Sequence, residues 1–259
     1  MLRLAKNTVR HLVRSLGYDI IDYRPDRTPP VPQYPHDFSK GDIELIEWAG
    51  AYTMTGPVRL LSMIRAAEYI ARCDIPGAVV ECGVWRGGSM MVAARTLMRH
   101  EAADRALYLY DTFEGMTEPT DKDVRCTGEI ARERFDRLKT GVDRSDWCRA
   151  SLEDVQAAMR LTDYDEQRIH YVQGKVEETI PSVAPDRIAL LRLDTDWYAS
   201  TRHELTYLFP RLVTGGVLII DDYGAWMGQK QAFDEYMREH HIRLFLQRID
   251  PFARMAVKV

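Results

Sequence analysis

A chain of 259 residues with 46% hydrophobic and 29% charged residues has the balance of a globular protein with one sizeable core. Its formal net charge of -4 gives no electrostatic basis for nucleic-acid binding. No apolar run approaches the roughly 20 residues of a bilayer span, and Cys73, Cys82, Cys126 and Cys148 lack metal-ligand spacing and read as the reduced thiols of a cytoplasmic protein.

The leading segment, MLRLAKNTVRHLVRSLGYD, has no long apolar stretch and no small-residue cleavage site, which argues against a secretory signal. Leu2, Ala5, Val9, Leu12, Val13 and Leu16 recur at helical spacing, with Arg3, Lys6, Arg10 and Arg14 on another side. An amphipathic helix follows, packed on its own domain or on a second subunit; an anionic membrane surface is the alternative. Because that apolar face needs cover, a homo-oligomer is expected. Residues 24–35, RPDRTPPVPQYP, carry five prolines and predict an extended connector. The chain therefore divides into an N-terminal part, 1–40, and a main domain, 41–259. The leading stretch of that domain, 41–75, holds two helical patterns, 42–51 and 57–73, broken at Gly56–Pro57.

Strands and helices alternate from residue 77 onward. GAVVECG, ALYLYDTF, IHYVQG, IALLRLD and GGVLIIDD read as strands; helical patterns fall at 89–100, 128–139, 151–161, 175–183, 201–212 and 227–240. The tail, IRLFLQRIDPFARMAVKV, reads as two strands around Asp250–Pro251. This alternation predicts an α/β, Rossmann-like, mostly parallel sheet with an antiparallel hairpin at its edge. Ligands of such sheets bind at the carboxyl ends of strands. Glu81, Asp111, Asp194, Asp196, Asp221 and Asp222 all fall there.

ECGVWRGGS, from Glu81 to Ser89, is a glycine-rich strand–helix turn, but Gly83 and Gly87 are four apart, too far for a dinucleotide fingerprint. A ligand with a ribose and an amino-acid tail, such as S-adenosylmethionine, needs less phosphate cradling. Asp111 at the next strand end suits ribose hydroxyls, and Glu81 suits the ligand's ammonium group. Trp85 and Phe113 could wall such a pocket, or serve as ordinary packing.

In a doubly wound strand order Asp194, Asp221 and Asp222 come from neighbouring strand ends, and they offer hard oxygen ligands, which suit Mg2+ or Ca2+ rather than zinc. Paired carboxylates at two core strand ends also imply a positive charge among them. Asp196 lies two residues past Asp194 and is either a general base or the N-cap of the next helix. His203 reads as a helix-surface residue, and His36 as an optional lid residue.

GAVVECGVWRGGS, YDTFEGM, GKVEETIP, LLRLDTDWY and GGVLIIDDYG together resemble the macrocin O-methyltransferase family, which methylates sugar hydroxyls on macrolide and aminocoumarin antibiotics. The resemblance runs from YTMTGPVRL, near residue 52, to the end of the chain. It implies a class I methyltransferase fold with a seven-stranded sheet, S-adenosylmethionine as cofactor, Mg2+ on Asp194, Asp221 and Asp222, and Asp196 as base. It also implies cofactor contacts from Thr53 and Met54 in a helical lid (41–75), and from Arg86, Gly87, Ser89, Thr112 and Lys175 in the quoted motifs. The implied acceptor is a small glycoside or saccharide. Two further functions share parts of the pattern: a D-x-D glycosyltransferase using a nucleotide sugar, through Asp194-Thr195-Asp196, and a non-catalytic cofactor-binding protein.

Overall fold

The computed structural model describes residues 34–259; the amphipathic segment expected at the N-terminus and most of the proline connector lie outside the described residues. Ser39–Val259 form one compact unit. It opens with helix α1 (Lys40–Ala49), which begins with a capping box: the Ser39 hydroxyl accepts from the Asp42 N–H, and the Asp42 carboxylate accepts from the Ser39 backbone. A 3-10 turn, Gly50–Tyr52, leads to α2 (Pro57–Arg72), whose first helical residue is a proline, where no backbone donor is required.

The alternating part runs β1 (Ala78–Cys82), α3 (Gly88–Arg99) and β2 (Leu107–Asp111), then an insert with α4 (Ala131–Leu138), β3 (Lys139–Gly141), β4 (Arg144–Ser145) and α5 (Leu152–Arg160). It continues with β5 (Ile169–Gln173), α6 (Val176–Thr179), β6 (Ile188–Leu193), α7 (Tyr198–Tyr207), β7 (Leu212–Ile220), α8 (Met227–Glu239), β8 (Gln247–Arg248) and β9 (Arg254–Val257). One seven-stranded sheet has the order β5-β2-β1-β6-β7-β9-β8. Its first five strands are parallel and the C-terminal hairpin is antiparallel. Every residue of β1 and of β6 is buried, as expected of strands covered on both faces. On one face Val80, Cys82, Leu191 and Leu193 meet Leu205, Leu208 and Phe233 of the α7–α8 layer; α2 packs with α3 and against β6 and β7.

The departures from the sequence reading have local causes. Residues 175–183 yield only Val176–Thr179, because Pro181 stops the helix. The helix expected over 201–212 starts three residues earlier and ends at Tyr207, where Phe209–Arg211 tightens around Pro210. Of the first tail strand only Gln247–Arg248 pairs; Ile242, Leu244 and Leu246 rest on the core as partly buried side chains instead. The β3–β4 hairpin carries little apolar alternation, so its sequence gives no strand signal. From β1 the chain proceeds to β2 and β5 on one side, then returns to β6 on the other. The reversal opens a crevice at the carboxyl ends of β1 and β6, the usual ligand position in such sheets.

Candidate active site

Strand register builds the acidic cluster. Cys82 pairs with Leu193, and Leu193 with Ile220, so Asp194 and Asp221 emerge side by side just beyond the ladder. The Asp194 N–H donates to the Cys82 carbonyl at 2.8 Å, and the Asp221 N–H to the Leu193 carbonyl at 3.0 Å. With Asp222 they bring three carboxylate oxygens within 4.8 Å of one another.

The positive charge that these strand ends require is supplied by two arginines. Arg192, one strand residue earlier in the register, lies beside Glu81, and both are buried. Its guanidinium donates to Glu81, lies 2.8 Å from Asp194 Oδ2, and reaches 2.7 Å from Asp221 Oδ1. Arg59, from the first turn of α2, contacts Asp221, lies 3.7 Å from Asp222 Oδ1, and donates through Nε to Asp250 Oδ2 at 2.7 Å. The surrounding carboxylates hold both guanidiniums above their ordinary range against the cost of burial. Burial pushes Glu81 up to about 7 despite the pull of Arg192. Burial also raises Asp194, with Arg192 opposing, and raises Asp196 and Asp222, whose like charges add to the effect.

This arrangement fits a divalent cation. Five carboxyls, from Glu81, Asp194, Asp221, Asp222 and Asp250, face two guanidiniums, and Asp196 adds a sixth beside Asp222, so carboxyls outnumber the cations. Asp221 Oδ1 is buried with no aligned hydrogen-bond donor despite the nearby Arg192 charge. The donor set is all carboxylate, the chemistry of a hard cation.

Asp196 is not the N-cap of α7. Trp197 holds that position, and the Asp123 carboxylate from the insert accepts the Tyr198 N–H at 2.8 Å. Asp196 adopts a left-handed backbone, φ 68°, with its carboxyl close to that of Asp222. The turn is held from below by Glu204, fully buried, which accepts from the Thr195 hydroxyl at 2.8 Å. Burial pushes Glu204 up to about 8.

The glycine loop folds tightly against this turn. Gly83 has φ 84°, and a Cβ there would overlap the Asp194 carbonyl, whose carbon would lie 2.7 Å away. A Cβ at Gly88 would meet Thr53 Cβ at 2.7 Å, so the segment ahead of α2 sits directly on the loop. Arg86 fastens the same segment, donating to the Ala51 carbonyl at 2.8 Å and lying over Tyr52. Asp111 clamps the loop: it accepts from the Val84, Trp85 and Phe113 N–H groups at 2.9, 3.1 and 2.8 Å. Burial raises Asp111, with those backbone bonds opposing.

A cavity of about 390 Å3 lies over the strand ends. Met54, Gly83, Trp85, Asp111, Thr112 and Lys175 line one part, and Asp194, Asp196, Asp221 and Asp222 another. Thr53, Arg86, Gly87, Ser89 and Phe113 stand behind this lining; Ser89 and Phe113 are buried. Glu81 also lies off the lining, one oxygen bonded to Arg192 and the other without a hydrogen-bond partner, so it forms the base of the charge network. His203 is on α7, its ring against the Ile180 carbonyl, away from the lining. His36 precedes the compact unit. Sequence reading missed Arg192, Arg59, Asp123 and Glu204. It also missed the far wall, where Trp147 and Trp226 line the cavity and pack with Trp197.

Comparison with known proteins gives the frame a family. A model of the macrocin O-methyltransferase (TylF) family matches residues 43–257. The chain is 32% identical over 205 residues to demethyldecarbamoylnovobiocin O-methyltransferase of Streptomyces niveus, covering 79% of this chain and 75% of that one. It is likewise 32% identical over 200 residues to mycinamicin III 3''-O-methyltransferase of Micromonospora griseorubida, covering 77% and 76%. Among solved structures, the O-methyltransferase NovP superposes with a TM-score of 0.68 at 30% identity, over 80% of this chain and 82% of that one.

Proposed function

The chain belongs to the macrocin O-methyltransferase family, and from that premise we propose that it methylates a hydroxyl of a sugar or sugar-bearing natural product, using S-adenosylmethionine and Mg2+. The observation that carries the reading is the set of three aspartate oxygens within 4.8 Å at the strand ends, beside the glycine-loop cavity. Family membership overturns the glycosyltransferase reading of Asp194-Thr195-Asp196, and the O-methyltransferase relatives count against a non-catalytic binding protein.

In this proposal Asp194, Asp221 and Asp222 hold the ion. Mg2+ there supplies Lewis-acid charge beside the acceptor hydroxyl, and S-adenosylmethionine supplies the methyl group. Asp196 takes the hydroxyl proton, from a turn fixed by the Glu204–Thr195 contact. Arg192 and Arg59 hold the carboxylates in one orientation, so little reorganisation is needed during reaction. Asp111 keeps the glycine loop closed on the cofactor side, with Met54, Trp85, Thr112 and Lys175 around it. Self-association through the apolar face of residues 1–20 belongs to the same proposal; size-exclusion chromatography with and without that segment checks it, and a monomer in both cases rejects it.

The test is calorimetry with S-adenosylhomocysteine and Mg2+, then methyl transfer to a panel of glycosides. Asp196→Asn should retain cofactor binding and lose about 10²- to 10⁴-fold in transfer. Absence of S-adenosylhomocysteine binding would reject the cofactor assignment, and full transfer in excess chelator would reject the ion.

A further inference from the structure

Four basic side chains border the cavity, and three of them have acidic partners. Arg59 is held by Asp221 and Asp250, Arg125 lies 3.4 Å from Glu129, and Lys175 pairs with Asp143. The fourth, Arg134, has no carboxylate partner among the described residues. It is half-buried, and its guanidinium carbon lies 4.4 Å from the centre of the Trp147 ring. That ring is fixed in turn by Trp197 and Trp226, at 5.5 and 5.9 Å. The helix carrying Arg134 is pinned by Ala131 and Phe135, both fully buried in the same aromatic cluster. The side chain is therefore an oriented fork, with one face against indole and its in-plane N–H donors unclaimed by any carboxylate.

Cys148, which lines the same cavity, relates Arg134 to the chemistry. Burial pushes the Cys148 thiol up to about 12, with Asp196 as the largest charged influence and Arg134 as the next. Arg134 and Asp196 thus line the same cavity, with Cys148 near both. A cation partly withdrawn from water and left unpaired is costly, and an incoming oxyanion relieves that cost. A guanidinium fork matches carboxylate and phosphate geometry through two parallel bonds, stronger than those it makes to neutral hydroxyls.

We propose that Arg134 is a specificity-determining residue for an oxyanion, carboxylate or phosphate, carried by the acceptor, so that this enzyme acts on acidic glycosides. The inference rests on the acceptor reading of this cavity given above. The test is calorimetric titration of the full chain, loaded with S-adenosylhomocysteine and Mg2+, with methyl β-D-glucuronide, glucose 1-phosphate and methyl β-D-glucoside. One or both anionic probes should bind about tenfold or more tighter than the glucoside, an advantage that shrinks with added salt. Tighter binding of the glucuronide alone assigns a carboxylate, and of the phosphate alone a phosphoryl group. Arg134→Gln should abolish the anion advantage and Arg134→Lys should keep part of it. S-adenosylhomocysteine affinity in each variant serves as the control for folding. Equal affinity for charged and neutral probes, no binding by any of the three, or an anion advantage that survives Arg134→Gln overturns the proposal. Loss of S-adenosylhomocysteine binding by the unmodified protein would instead sink the methyltransferase reading, so the two failures are distinct.

Discussion

Arg192 stands beside Glu81 on the adjacent strand, and each is buried within reach of the other. The guanidinium continues outward to Asp194 and Asp221, so one cation links the sheet interior to the acidic strand ends.

Removing that cation leaves buried carboxylates without compensation. Arg192→Met should destabilise the fold by about 3–5 kcal/mol, the usual cost of breaking a buried pair from one side. Adding Glu81→Gln should recover part of the loss. Urea denaturation of both variants measures this; equal stability of the single variant and the parent would contradict it.

The ion-binding reading is tested without turnover. Mg2+ should raise the melting temperature of the parent, and Asp222→Ala should remove most of that rise while S-adenosylhomocysteine still stabilises. Asp222 is the most suitable position because it is less buried than Asp221 and lacks the direct contact to Arg192.

Gly83→Ala combines a left-handed backbone with a collision against the Asp194 carbonyl. It should cost about 1–3 kcal/mol. Because the strain falls on the turn that presents Asp194 and Asp196, Mg2+ affinity should drop as well, by more than in a surface variant of equal stability.

Glu204 gives stability a pH dependence of definite sign. Its ordinary pKa, 4.5, rises to about 8 in the fold because of burial. Between these values the folded state binds more protons than the unfolded one, so this group's contribution falls as pH rises from about 4.5 to 8. Glu204→Gln, a mimic of the neutral carboxyl, should match the parent below pH 5 and exceed it at pH 8. Denaturant melts at both pH values give the comparison, and a constant offset would refute the assignment.

The elements with strong patterns could be read before the structure. Apolar runs ending in Asp194 and in Asp221–Asp222 located the strand ends, and parallel register then aligned them. The sign of the missing charge was readable too, but its source was not. Arg192 sat inside a run otherwise fit for a buried strand, where a lone charge signals a partner on the next strand. Glu81 carried the same signal in β1, and joining the two required the strand order. Arg59 and Asp123 had no local signal. Each acts on a segment far along the chain, and only packing of α2 and the insert reveals the contact. Leucine alternation near residue 244 suggested a strand, but burial alone does not supply a backbone partner.

Arg59 is made well before its partners Asp221, Asp222 and Asp250, which follow it by 162 residues or more. The acidic centre therefore cannot reach electrical balance on a partly made chain. A stop codon a few residues ahead of Asp250 would remove both an anchor for α2 and the strand that borders β7. Truncations there should act as lesions of the ion site itself, and not as trimming of a dispensable tail.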